Sequence, residues 1–238
     1  MRTAHRLTVT TALACAAALG LTGCFQPSGP FPDLSGSQVA DKSVNALRGA
    51  SSLTVSGSVW DEGKPLQLNM AVSKAGDCKG SISSKEGSFE LIRNEQFVFI
   101  KADEPFYRSQ MKDLPKEQAD EAVKQMAGHW LKSKASDPDL KEVADLCDLD
   151  QLLKEFEDSK GAQKGKTTTV GGQEALTLTT KTTDGNETLL VATKGEPYLL
   201  KATLDGKEPA EISFSGFNQP VQAEAPTGKD VIDTEQAG

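Results

Sequence analysis

The chain has 238 residues, 34 of them acidic against 26 basic for a net charge of −8, and only 5% are aromatic. That acidic balance disfavours nucleic acid and anionic lipid headgroups as partners. The length suits a short leader and one domain with a sizeable core, and is short for the two βαβ lobes of an importer's binding subunit.

Arg2, His5 and Arg6 precede a run from Leu7 to Leu21 without a charged side chain, the layout of a secretory signal peptide. The run is too short to cross a hydrocarbon core of ~30 Å, which takes roughly 20 apolar residues. It ends in Leu21-Thr22-Gly23-Cys24, which reads as a lipobox: small residues let a peptidase grip extended backbone, and only a thiol can take diacylglycerol before cleavage. An ordinary signal peptide with a chance cysteine is the alternative. Removing residues 1–23 discards two arginines and no acid, so the charge moves from −8 to −10. Two acyl chains anchor stably, each buried methylene contributing ~0.8 kcal/mol. The expected location is therefore extracytoplasmic, on the outer face of the cell membrane, with the membrane a partner through covalent lipid on Cys24.

Of four cysteines, Cys15 falls in the leader and Cys24 carries lipid, leaving Cys78 and Cys147. In an oxidising compartment these two are expected to pair, with two separate buried thiols as the alternative. Two cysteines without a CxxC or neighbouring histidines do not make a zinc site, so no metal or other cofactor is expected.

Residues 24–36 (CFQPSGPFPDLSG) read as a lipidated tether, rich in Pro, Gly and Ser and without apolar periodicity. A folded domain is expected over 37–223 and a flexible acidic tail over 224–238. The domain opens with a helix carrying Ala40, Val44 and Leu47 and stopping at Gly49. The period then changes to two: Leu53, Val55 and Val59, then Leu66, Leu68, Met70 and Val72, with Glu62-Gly63-Lys64 as a hairpin turn. Further strands are expected near 78–84, 87–93 and 96–101. A helical stretch follows, with Pro115 at one start, Ala119, Ala122, Val123 and Met126 as a stripe, and Gly128 as its stop. Asp137-Pro138 opens another with Leu140, Val143, Ala144 and Cys147, and Leu149, Leu152, Leu153 and Phe156 repeat the spacing. After Gly165 strands return at 167–170, 173–180, 187–193, 198–204 and 211–214, separated by tight turns such as Asp184-Gly185-Asn186 and Asp205-Gly206-Lys207. Connections this short pair strands antiparallel. The expected fold is α+β: a curved antiparallel sheet, a half-open β-barrel, with helices covering its concave face.

Motifs for covalent chemistry are absent. Gly161 to Thr167 imitates a P-loop, but three residues rather than four separate its glycines and the helix precedes the strand instead of following it. His129 is the one histidine after the leader, no GxSxG elbow accompanies it, and no carboxylate spacing singles out an acid/base pair. What remains is apolar surface. Leu66, Leu68, Met70, Phe89, Leu91, Phe97, Phe99, Val123, Met126, Leu178, Val191 and Leu200 are the candidate lining of a cavity between sheet and helices. The alternative is that they simply fill the core.

The lipobox cysteine, the helix with Ala40, Val44 and Leu47, the meander broken by central helices and the end LLVATKGEPYLLKATLDG…EISFSGFNQPVQ, closing on Phe217-Asn218-Gln219-Pro220, together resemble the LolA/LppX-like superfamily of lipoprotein carriers, of the LppX and LprG types. The resemblance covers roughly residues 37–222 and carries over no ligand-contact residue. It implies a half-barrel whose apolar interior holds acyl chains or lipidated molecules and moves them across the envelope, with no covalent catalysis. A tethered module with a filled core, sensing or contacting another envelope protein, is the competing expectation.

Overall fold

A computed structural model describes residues 29–61, 63–156 and 160–234; the leader and Cys24 lie outside them. The helix α1 (Gly36–Gly49) starts where a capping box allows: the Gln38 N–H donates to Ser35 Oγ and the Ser35 N–H to Gln38 Oε1, satisfying two donors that the first turn leaves free. Its buried stripe is Val39, Ala40, Ser43, Val44 and Leu47.

Among the described residues twelve strands form one sheet. A first meander comprises β1 (Ser52–Asp61), β2 (Lys64–Ser73), β3 (Cys78–Ser84), β4 (Gly87–Arg93) and β5 (Phe97–Ala102). The short helices α2 (Glu104–Gln110) and α3 (Lys116–Met126) lead into β6 (Trp130–Lys134), and α4 (Lys141–Asp145) and α5 (Leu149–Leu153) follow it. A second meander comprises β7 (Gln163–Val170), β8 (Gln173–Lys181), β9 (Gly185–Ala192), β10 (Leu199–Gly206) and β11 (Ala210–Ser215), and the chain finishes in β12 (Val231–Asp233). The strand order is β12-β6-β5-β4-β3-β2-β1-β11-β10-β9-β8-β7. Every pairing is antiparallel except β12 with β6. The expected α+β half-barrel is the fold observed.

The core lies between the concave face and the helices. Val39, Ala40 and Leu47 of α1 and Leu149 and Leu153 of α5 pack on Leu53, Val55, Met70, Val72, Leu91, Leu176, Leu178, Leu189, Val191 and Leu199. Cys78 and Cys147 are disulfide-bonded, Cα atoms 5.4 Å apart, tying the start of β3 to the turn before α5.

Two expectations need correction. The tether is not free up to residue 36, since Phe31 and Leu34 pack against the core and α1 already begins at Gly36. The acidic end is not loose throughout: Val231–Asp233 adds β12 beside β6, with Lys132 Nζ 2.9 Å from an Asp233 carboxylate oxygen. In addition, α2, β6 and β12 are elements that periodicity did not reveal, being short and built from alternations too brief to read.

Candidate functional site: the open end of the half-barrel

Register defines two ends. One hydrogen-bonded row runs Gln163–Thr179–Thr188–Thr203–Glu211–Ser58–Gln67–Ser83–Ser88 across nine strands. Side chains alternate along strands, so the neighbouring position on each strand faces inward. That inward row, Thr180, Glu187, Leu204, Ala210, Val59 and Leu66, forms the rim of one end. The other end holds the disulfide, and there the apolar core is fully covered: Leu47, Leu53, Leu153, Val72 and Cys78 are each at most 1% exposed.

Along β2 burial falls from Met70 and Val72, which are buried, to Leu66 and Leu68, which are only half-buried. The slack gathers into a cleft of about 350 Å³ lined mainly by Val59, Phe156, Glu187, Ala202, Leu204 and Ile212. A second hollow of about 400 Å³ shares Val59, Asp184, Leu204 and Ala210 with it and continues past Trp60. Phe156, reaching down from α5, stands edge-on to Phe214 with ring centroids 5.3 Å apart and makes the inner wall. Gly57 belongs to the inward series between Val55 and Val59. Its φ of +151° and its closeness to the Glu211 carbonyl exclude a side chain there, so the floor beside Ile212 and Leu68 stays bare.

A half-buried carboxylate lines this space. Glu187 opposes Thr180 on one side and Leu204 on the other, and burial alone pushes its carboxyl above the usual carboxylate range. Thr180 is 8% exposed, its Oγ1 has no hydrogen-bond partner, and it borders a separate hollow with Gln163, Thr179 and Lys181. At the opposite end a hollow of about 490 Å³ has charged walls, Arg48, Lys74, Arg93, Asp148 and Asp150. Arg93 donates to the Gly76 carbonyl and Arg48 approaches Asp150 at 3.9 Å, so that site suits no apolar guest.

The register sorts the candidate lining residues. Leu66, Leu68, Met70, Phe89, Leu91, Leu178 and Val191 share the inward face, but Met70, Leu91, Leu178 and Val191 are packed solid. Val123 and Met126 belong to a separate cluster with Ala102 and Tyr107 under α2 and α3. Phe97 and Phe99 face the other way: Leu91 opposes Ile100, so Phe99 shares the outer face with Ile92, and Lys132 Nζ sits 4.1 Å from the Phe97 ring centroid. Leu200 also lies outside, with Ala175 and Ala192, because a bulge between Leu199 and Lys201 reverses the alternation. The residues that do line the cleft, Ala202, Leu204, Ala210, Ile212 and Phe156, were legible as apolar strand or helix positions but carry no mark of exposure in sequence.

His129 lies in the turn between α3 and β6; its Nδ1 is buried without a hydrogen-bond partner, so it lacks the orienting group a catalytic base needs. Among the described residues no cluster of His, Cys, Asp and Glu could hold a metal, and no helix is long and apolar enough to cross a membrane.

The fold has counterparts among solved structures. LprF from Mycobacterium bovis aligns with a TM-score of 0.56 at 13% identity, covering 84% of this chain and 99% of that one. The lipoprotein LppX of Mycobacterium tuberculosis aligns at 0.49 and 15% identity, covering 78% and 97%. The alignment with LprF shows a shared fold, in line with the LppX/LprG-type half-barrel that the sequence resembles. No family model and no curated protein matches the sequence.

Proposed function

We propose that this chain is an extracytoplasmic lipoprotein, anchored through lipid on Cys24, that binds a hydrophobic, lipid-like ligand at the open end of its half-barrel without covalent chemistry. The observation that carries the reading is the cleft of about 350 Å³ walled by Val59, Phe156, Ala202, Leu204 and Ile212 in a domain whose other end has a closed apolar core and a hollow with charged walls. Its size falls within the range of small-ligand sites. The volume favours an acyl chain or similar slender apolar group over a bulky multi-chain lipid. Glu187 has no hydrogen bond or ion pair to a described residue, so an anionic headgroup drawn inside would meet a like charge. The ligand is therefore neutral, or enters tail first with its headgroup left at the rim. Passing the ligand between envelope membranes is the role that follows from such a site on a tethered domain.

Solvent extraction of purified protein followed by mass spectrometry tests this. A recurrent lipid is expected from the native chain, with loss of at least ten-fold from Ala210→Trp, whose indole occupies the cleft mouth. Repeated extraction of nothing, with a fluorescent acyl probe failing to bind, overturns ligand carriage. The filled-core alternative draws on Leu47, Leu53 and Leu153, all buried to 1% exposure or less. One dominant protein partner cross-linked in intact cells, without lipid, favours it.

A further inference from the structure

The attachment point of the tether and the opening of the cleft lie at the same end of the domain. Gly36, the first residue of α1, is so close to the Ala162 carbonyl that a Cβ would not fit, the Gly161 N–H donates to Ser37 Oγ at 3.1 Å, and Lys164 Nζ donates to the Phe31 carbonyl. Ala162 directly precedes Gln163, the β7 end of the row that borders the rim. From Cys24 to Phe31 is seven peptide steps, ~25 Å at full extension. The closed end lies a further ~34 Å away, the length of a ten-residue strand.

The same end gathers exposed apolar side chains. Among the described residues the exposed large hydrophobics are Trp60 at 36% and Leu114 at 47%. Trp60 lies next to Val59 on the rim. Leu114 follows Lys112, whose Nζ is 3.3 Å from Glu86 Oε1 in the β3–β4 turn; Lys64 Nζ, beside the β1–β2 turn, reaches that same oxygen at 2.9 Å. Five features therefore converge on one end of the molecule: the docked tether, the cleft, the β1–β2 and β3–β4 turns, and the α2–α3 junction.

We infer that the open end of the half-barrel faces the bilayer that carries the Cys24 lipid, with Trp60 and Leu114 touching its interface, so that an apolar ligand passes between membrane and cleft without crossing bulk water. Tryptophan suits that boundary because its ring is apolar with one polar N–H. The orientation rests on the anchoring through Cys24 proposed above; it does not require any particular ligand.

The test uses the full acylated chain in phosphatidylcholine vesicles doped with a nickel-chelating lipid. Spin labels are placed singly at Lys207→Cys, in the β10–β11 turn of the open end, or at Glu95→Cys, in the β4–β5 turn of the closed end. Nickel-induced relaxation roughly three-fold or more stronger at 207 than at 95 is expected from the ~34 Å between the ends. In a Trp130→Phe background, Trp60 fluorescence should be quenched by brominated acyl chains. Equal relaxation at the two labels, stronger relaxation at 95, or Trp60 quenching no greater than that of a non-acylated Cys24→Ser chain overturns the orientation. The mass of the mature N-terminal peptide is read separately: absence of the diacylglyceryl group refutes the anchoring itself, whereas an acylated chain with the wrong label order refutes only the orientation.

Discussion

The two ends of the half-barrel share strands, helices and residue types, yet they use them differently. At the disulfide end Leu53 of β1 stands opposite Val72 of β2, both covered by helix side chains and at most 1% exposed. A few residues along the same two strands, Val59 stands opposite Leu66, and both are only half-buried. What differs is the roof. The α1 stripe runs from Val39 to Leu47, and α5 with Phe156 reaches the rim at a single ring. A continuous sheet can thus be a core at one end and an open wall at the other, the change set by where its helices stop.

Breaking the covalent tie at the closed end should have the largest effect. The disulfide spans a sequence separation of 69, for which loop-closure entropy gives about 4 kcal/mol; Cys78→Ser with Cys147→Ser should lower the stability read by urea denaturation by that order. Next comes a matched pair of leucines. Leu53→Ala should cost about 2–5 kcal/mol as a cavity in a packed site, whereas Leu66→Ala should cost less than about 1.5 kcal/mol because its side chain is already half in water. Equal losses would erase the distinction between the ends.

Smaller effects separate two carboxylates near the rim. Burial pushes the Asp103 carboxyl up, but the Phe106 N–H and the N–H and Oγ–H of Ser88 donate to it at 2.7–3.0 Å and leave it below the usual range. A depressed folded pKa gives stability that is present above the unfolded pKa and lost as pH falls through the folded one. Asp103→Ala, which also removes the cap of α2, should cost about 1 kcal/mol at pH 7 and less in acid. Glu187 has the opposite sign. Its raised pKa means the folded state binds the extra proton, so stability declines as pH rises from the unfolded pKa through the folded one. Glu187→Gln should therefore raise the urea midpoint at pH 7 and change it less at pH 4; a fall at pH 7 would show the carboxylate to be paired.

Much of this architecture was readable because turns and periods agree. Asp184-Gly185, Asp205-Gly206 and Gly63 mark hairpin ends, and Leu66 to Val72 alternate cleanly. Phase was harder. Phe97-Val98-Phe99-Ile100 is apolar at both parities, so nothing local says which pair turns inward; the pairing of Arg93 with Val98 decides it. Leu199-Leu200 has the same ambiguity, resolved by a bulge. The cleft itself was invisible, since a half-covered leucine and a fully covered one are written alike. Asn218 has a structural role that its place in the terminal Phe-Asn-Gln-Pro pattern does not disclose. It adopts φ +59°, which asparagine tolerates better than most residues, and its Oδ1 accepts the Ser51 N–H at 2.8 Å while Nδ2 donates to Tyr198 Oη at 3.0 Å.

The seam between β1 and β11 has a consequence for how the chain comes together. Each meander closes through neighbouring segments, a search of a few residues, whereas Val55 meets Phe214 only after almost the entire polypeptide is available. Long-range pairings form slowly because the intervening loop must first be closed. The two half-sheets can therefore mature early and independently, and their zippering, the step that creates the wall beside Gly57 and Ile212, belongs to the last phase of folding.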